Sequence, residues 1–190
     1  MGKDVIIACD FASAAQTFAF LDLFGSRKPF VKIGMELFYA EGPEIVREIK
    51  KRGHKIFLDL KLHDIPNTVK KSMAVLSRLD VDMCNLHAAG TIPMMQAALE
   101  GLTRPDGTRP LLIAVTQLTS TDSEHLEQDL LIREPMDKVV MHYAQKQVLT
   151  ASFARRLRPL KFTACAVKSF SPLRPAFVLP TASLATKSAS

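Results

Sequence analysis

Over roughly its first 145 residues the chain alternates short apolar runs with longer stretches of helical period, a pattern few folds can satisfy. Val5-Ile-Ile-Ala-Cys-Asp10, Phe30-Val-Lys-Ile-Gly34, Lys55-Ile-Phe-Leu-Asp-Leu-Lys61, Val81-Asp-Met-Cys-Asn-Leu-His87 and Leu111-Leu-Ile-Ala-Val-Thr116 are short and mostly apolar, as strands buried on both faces are. Between them lie stretches that read as helices. Ser13 is placed to cap the first, whose apolar positions include Phe18, Leu21 and Leu23. The second starts at about Gly42-Pro43, where proline suits a first helical turn. Further helices are predicted from about Pro66 to Leu79, around Pro93 to Leu102, and from about Met136 to Gln147. Five βα units of this kind predict a parallel sheet, either open and doubly wound or closed as a (β/α)8 barrel.

Two observations separate these architectures. No glycine-rich fingerprint follows the first strand, which argues against a dinucleotide-binding sheet. Polar residues instead stand at the carboxyl end of every strand: Asp10, Lys32, Asp59 with Lys61, His87, and Thr116 through Ser120. Barrel enzymes place their functional groups at that end, so the barrel is favoured. A chain of 190 residues is long enough for one substantial core and short for two. It holds no apolar run of membrane-spanning length and opens without a cleavable secretory pattern, which predicts a soluble, cytoplasmic protein with no membrane partner. Cys9, Cys84 and Cys165 lack the paired spacing of a zinc site or disulfide framework, and are expected reduced and mostly buried. The net charge of +6 is local: eight of the 25 Lys and Arg lie from Lys146 onward, where there is no Asp or Glu. The rest of the chain holds fewer basic side chains than its 19 acidic ones, so no nucleic-acid partner is indicated. A binding role for Arg155, Arg156, Arg158 and Lys161 would need a recognisable motif, which that stretch lacks.

The densest chemical cluster is Asp59-Leu60-Lys61-Leu62-His63-Asp64. The two-residue period of a strand puts Asp59 and Lys61 on one face, with Asp64 just beyond in the loop. A lysine between carboxylates keeps its proton and is poised to donate it. An ordinary salt-bridged strand end would explain these three residues if they stood alone. Asp10 and Lys32 belong to neighbouring strand ends of the same rim, however, so alternating charges converge on one pocket, which marks a functional site. His87 reads as a structural strand-end residue and His63 as a solvated one, since the lysine is the better-placed proton donor.

Phe57-Leu-Asp-Leu-Lys-Leu-His-Asp-Ile-Pro-Asn-Thr-Val69 closely resembles the signature of the orotidine 5'-monophosphate decarboxylases, bacterial type. Ile7-Ala-Cys-Asp10, Phe30-Val-Lys-Ile-Gly-Met-Glu-Leu-Phe38, Asn85-Leu-His-Ala-Ala89 and Ala114-Val-Thr-Gln-Leu-Thr-Ser120 match its other blocks in order. The resemblance covers about residues 4 to 146 and implies an α/β fold of the (β/α)8 TIM-barrel family, with the first five βα units present over residues 1–147. It implies a homodimer that decarboxylates orotidine 5'-monophosphate to uridine 5'-monophosphate in pyrimidine synthesis, without cofactor or metal. By resemblance, Asp10 hydrogen-bonds the substrate ribose and Lys32 contacts the ribose and the neighbours of the carboxylate. Asp59 sits against the orotate carboxylate, and Lys61 protonates C6 as carbon dioxide leaves. Asp64, Ile65 and Thr68 reach into the partner subunit's site, while Thr119 and Ser120 touch substrate, Ser120 near the pyrimidine edge. The catalytic set so implied is Lys61, Asp59, Asp64 and Lys32. The chemistry is self-consistent: the carbanion left at C6 lies in the ring plane, where the pyrimidine cannot delocalise it, so fixed positive charge must stabilise it. Asp59 beside the departing carboxylate would raise the energy of the ground state.

Beyond residue 147 the resemblance stops. Relatives place the phosphate site after strands seven and eight, whereas here no glycine follows Gly107. Residues 148–190 are expected to be a non-homologous, irregular basic stretch, and a change of reading frame would account for it. Back-translated one base earlier, Leu149–Pro159 and Ser171–Val178 can spell family-like segments in the family's order. The alternatives are an inactive remnant of the enzyme, or a related sugar-phosphate lyase such as 3-keto-gulonate-6-phosphate decarboxylase, which uses an Asp-x-Lys-x-x-Asp element with magnesium. The longer block through Ile65-Pro66-Asn67-Thr68 and the Thr119-Ser120 pair favours the nucleotide enzyme.

Overall fold

The computed structural model describes residues 5–154 and Phe177–Val178. Strands β1 (Val5–Ala8), β2 (Phe30–Gly34), β3 (Ile56–Leu62), β4 (Met83–His87) and β5 (Leu111–Val115) run parallel, and neighbours in sequence are neighbours in the sheet. A doubly wound sheet reverses its strand order part-way, whereas this one advances steadily, as an arc of a barrel does. A two-residue strand, β6 (Phe177–Val178), pairs antiparallel with β1.

The helices follow local signals. The Ser13 hydroxyl accepts from the Gln16 amide at 3.4 Å and caps α1 (Ala14–Asp22). Proline opens α3 (Pro43–Lys51) and α4 (Pro66–Arg78), and α5 spans Thr91–Leu102. The sequence expectation omitted two short helices. α2 (Met35–Glu41) starts directly from the end of β2 and turns into α3 at Gly42, whose φ of 67° favours glycine. α6 (Ser123–Gln128) is capped by Asp122, which accepts from the His125 amide at 2.9 Å. The last helix, α7, runs Met136–Ala154, past the boundary drawn at residue 147. The basic stretch Arg155, Arg156, Arg158 and Lys161, together with Cys165, lies outside the described residues. So do the two frame-sensitive segments, apart from Leu149–Ala154 and Phe177–Val178.

The sheet has two differently used faces. Its outer face, with Val31, Ile33, Ile56, Leu58 and Leu86 fully buried, packs beneath helix residues such as Leu37, Ile49, Met73 and Met94. Truncating one of these, for instance Leu58→Ala, is expected to cost about 2–5 kcal/mol. The concave face carries a separate apolar layer built from one residue of each parallel strand: Ile6, Phe30, Phe57, Met83 and Ile113. Two residues further along the same strands the face becomes polar, with Lys32, Asp59 and Asn85. The apolar layer is thus a floor, and the charged groups stand above it at the carboxyl ends of the strands. Cys9 and Cys84 are buried and free. Among the described residues no helix is long and apolar enough to cross a membrane.

Candidate active site

The site is built around an irregularity in β3. Its pairing with β4 passes from Leu58↔Cys84 directly to Leu62↔Leu86, so three residues of β3 face the single residue Asn85. Such bulges re-aim side chains and are common beside active sites. Within it, Lys61 adopts φ 49°, a left-handed conformation uncommon for a residue with a side chain. Asp59 and Lys61 share a face, as the strand period predicts, and Lys61 Nζ donates to Asp59 Oδ1 at 2.7 Å.

From there the charges alternate. Lys32 Nζ lies 3.6 Å from Asp59 Oδ2 and donates to Asp10 Oδ1 at 3.0 Å. Asn85 Nδ2 adds a hydrogen bond to Asp59 Oδ1 at 2.6 Å. The side chain of Asp59 is only 12% exposed, against 66% for Asp10, so Asp59 is the buried hub and Asp10 the outer end of the chain. Burial alone would raise the Asp59 carboxyl. The hydrogen bonds from Lys61 and Asn85 and the charges of Lys61 and Lys32 outweigh it and hold the group below the usual carboxylate range. The result is a fixed carboxylate facing two ammonium groups, an arrangement that can repel a second carboxylate while offering an N–H to an electron pair developing beside it.

These groups line a cleft of about 200 Å³ bounded by Cys9, Asp10, Lys32, Gly34, Asp59 and Lys61, with Met35, Glu36 and Leu37 at its edge. Whole small-molecule sites run to about 300–1,000 Å³, so this cleft suits the reacting end of a ligand whose remainder lies along the rim. A Cβ added to Gly34 would stand 3.6 Å from both Asp10 Oδ1 and Lys32 Nζ, inside the cleft. Burial, with the Asp10 charge, pushes the Cys9 thiol up to about 12, so it is no nucleophile at neutral pH. His87 lies 5.7 Å from His63, ring to ring. Burial first, then the charges of His63 and Lys61, lower its pKa and keep it neutral at pH 7. Among the described residues no cluster of three or more His, Cys, Asp or Glu is arranged to hold a metal ion. A larger open depression of about 730 Å³, lined by Ser123, Glu124, Glu127, Gln128, Leu131 and Arg133, contains none of the site residues.

The structure therefore brings together Asp10, Lys32, Asp59 and Lys61, and leaves the other expected residues apart. Asp64, Ile65 and Thr68 are exposed where α4 begins, Asp64 accepting only the Ile65 amide at 2.7 Å among the described residues. Ile65 is 66% exposed. Thr119 and Ser120 are exposed in the loop after β5, at the same end of the sheet. Asn85, which hydrogen-bonds the central carboxylate, is a site residue to which sequence reading gave no role. Its signal was available: a lone amide between Cys84 and Leu86 in a buried strand must find partners there.

Residues 3–161 match the family model described as Orotidine 5'-phosphate decarboxylase / HUMPS family. Among curated relatives, the orotidine 5'-phosphate decarboxylase of Geobacillus sp. (strain WCH70) is 54% identical over 147 residues, covering 76% of this chain and 62% of the relative. That of Shouchella clausii (strain KSM-K16) is 56% identical over 148 residues, with the same two coverages. The chain thus spans about three fifths of the length of the curated relatives it matches, 62% in both cases. Among solved structures, orotidine 5'-phosphate decarboxylase from Lactobacillus acidophilus superposes with a TM-score of 0.74 at 37% identity, covering 78% of this chain and 68% of that one. An uncharacterized conserved protein from Geobacillus kaustophilus superposes with a TM-score of 0.74 at 46% identity, covering 80% and 77%.

Proposed function

This chain belongs to the orotidine 5'-phosphate decarboxylase / HUMPS family, and on that premise we propose that its charged cleft converts orotidine 5'-monophosphate to uridine 5'-monophosphate, as a cytoplasmic step of pyrimidine synthesis. The observation that carries the reading is the Asp59 carboxylate, held ionised between Lys61, Lys32 and Asn85 at the centre of the cleft. In this reaction the bond between C6 and the carboxylate carbon breaks, its electron pair stays on C6, and carbon dioxide departs. Lys61 Nζ then gives a proton to C6 and recovers one from solvent. The ammonium stabilises the pair as it forms, and the carboxylate of Asp59 disfavours the charged reactant beside it.

The remaining assignments follow the same reading. Asp10, braced by Lys32, binds the ribose hydroxyls, and Lys32 bridges the ribose side to Asp59. Thr119 and Ser120 close on the pyrimidine edge from the loop after β5. Asp64, Ile65 and Thr68 complete the site of a second copy in a homodimer, a role supported by their exposure at the rim. The discriminating experiment offers the purified chain orotidine 5'-monophosphate and, separately, a 3-keto-sugar 6-phosphate, each with magnesium and with a chelator. Chelator-insensitive turnover of the nucleotide is expected. Magnesium-dependent turnover of the sugar phosphate alone would replace this reading with that of the sugar-phosphate lyases.

A further inference from the structure

We infer that Asn85 is a positioning residue of the proposed reaction, its side-chain amide bridging the β3 bulge so that Asp59 and Lys61 are clamped at a fixed separation. The catalytic half of this inference rests on the decarboxylase reading; the clamp itself rests on hydrogen-bond geometry. Asn85 is 2% exposed and stands alone opposite Asp59, Leu60 and Lys61. Its Nδ2 donates to Asp59 Oδ1 at 2.6 Å and its Oδ1 accepts from the Lys61 backbone N–H at 2.8 Å. The amide can be oriented in one way only, because a carboxylate oxygen solely accepts and a backbone N–H solely donates.

Both bonds repair something the bulge breaks. In a regular parallel ladder the amide of every second residue finds a carbonyl on the neighbouring strand; three residues facing one cannot keep that pattern. Lys61, turned to φ 49°, would be left with a part-buried N–H, and Asn85 Oδ1 takes the place of the lost carbonyl. Asp59 Oδ1 meanwhile receives two donors, Asn85 Nδ2 and Lys61 Nζ at 2.7 Å, which fixes the rotation of the carboxylate and leaves Oδ2 for Lys32. One side chain therefore holds the backbone from which Lys61 projects and the carboxylate on which its ammonium rests. Leucine has similar bulk but would leave the Lys61 N–H without its acceptor and Asp59 Oδ1 without one of its two donors. Aspartate keeps the acceptor for Lys61 and places a second carboxylate against Asp59. The titratable groups around position 85 are Asp59 and Lys61 of β3, Lys32 of β2 and His87 of β4; β5 presents Ile113 opposite, which does not titrate.

The test compares the full chain with Asn85→Leu and Asn85→Asp. The readouts are hydrogen exchange at the Lys61 amide and the pH dependence of kcat and KM for orotidine 5'-monophosphate. The Lys61 amide is expected to be slow to exchange in the parent and fast in Asn85→Leu, with kcat lowered about a hundredfold, as for an ångström-scale misplacement, and KM moved only a few-fold. Asn85→Asp keeps the amide slow. Its kcat is low at neutral pH and climbs as pH falls, because a protonated Asp at 85 donates to Asp59 as the amide did; the parent shows no such acid limb. Unchanged exchange in Asn85→Leu, a kcat within threefold of the parent, or an Asn85→Asp profile parallel to the parent would each overturn the inference. Absence of turnover in the parent would count against the decarboxylase reading, and Lys61 exchange would still decide the clamp. Should Asn85→Leu fail to fold, Asn85→Asp, of the same size, carries the decision through its pH profile. Without parent turnover, exchange at the Lys61 amide of the parent decides: slow exchange is expected, and fast exchange would show that Asn85 Oδ1 does not hold it.

Discussion

The cleft and its rim were implicated by the same resemblance, yet the fold treats them differently. Asp10, Lys32, Asp59 and Lys61 stand at the ends of adjacent strands and interlock through hydrogen bonds and close ion pairs. Asp64, Ile65, Thr119 and Ser120 sit on loops at the same end of the sheet, Thr68 lies in the first turn of α4, and all five are exposed. Strand-end groups inherit their spacing from the backbone ladder, so one chain suffices to set it. Loop groups lack that ladder, and Asp64, among the described residues, makes only the local contact to the Ile65 amide. In the proposed reaction the rim meets the nucleotide and a second copy of the chain. In that reading the proton donor and its paired carboxylate belong to the strand ends of one chain, and the rim adds its groups only in the assembled site.

The sharpest way to break this contrast is Lys61→Ala, expected to lower kcat by about 10⁴-fold or more, through loss of both proton donor and positive charge. Inhibition by uridine 5'-monophosphate should persist within about tenfold, and a kcat loss below tenfold would erase the distinction between cleft and rim. Asp64→Ala is expected to cost about a hundredfold in kcat while leaving the denaturant midpoint unchanged, since the residue is exposed. Mixing it with Lys61→Ala should restore about a quarter of parent activity, because in a two-fold dimer one of the two hybrid sites is intact. No recovery on mixing would remove the shared rim. Asp59 predicts a pH effect of definite sign. Its folded-state pKa lies below the usual value of 3.8, so its ionised form stabilises the fold above that pH, and this contribution is lost as pH falls through the folded-state pKa. Urea midpoints measured from pH 6 downward should therefore fall less steeply in Asp59→Asn than in the parent. The smallest effects belong to Thr119→Ala and Ser120→Ala, each expected to raise KM by about 2–12-fold, the worth of one hydrogen bond, with kcat nearly unchanged in steady-state assays.

Much of the architecture was legible because it is written in local signals. The five strands are apolar runs bounded by polar strand ends, Ser13 caps α1, and Pro43 and Pro66 open helices. The helices that escaped prediction are short. α2 continues straight from β2 through Gly34, and α6, although Asp122 caps it, is shorter than one reliable stretch of helical period. α7 crosses residue 147 because that boundary followed composition, and neither glycine nor proline interrupts the chain between Met136 and Ala154. In the site, the strand period correctly put Asp59 and Lys61 on one face. The bulge that joins them is a property of register between β3 and β4, which no single strand's sequence specifies. The lone amide of Asn85 signalled that it has partners, but which ones depends on that same register.

Ultraviolet absorbance of orotidine 5'-monophosphate, followed with the purified chain beside Lys61→Ala and with the intact mass of 21.0 kDa verified in the same sample, decides whether the cleft is a decarboxylase site. The orotate chromophore is expected to disappear with the parent chain at that mass and to persist with Lys61→Ala. A chromophore that persists with both, or disappears equally fast with both, would overturn the decarboxylase reading.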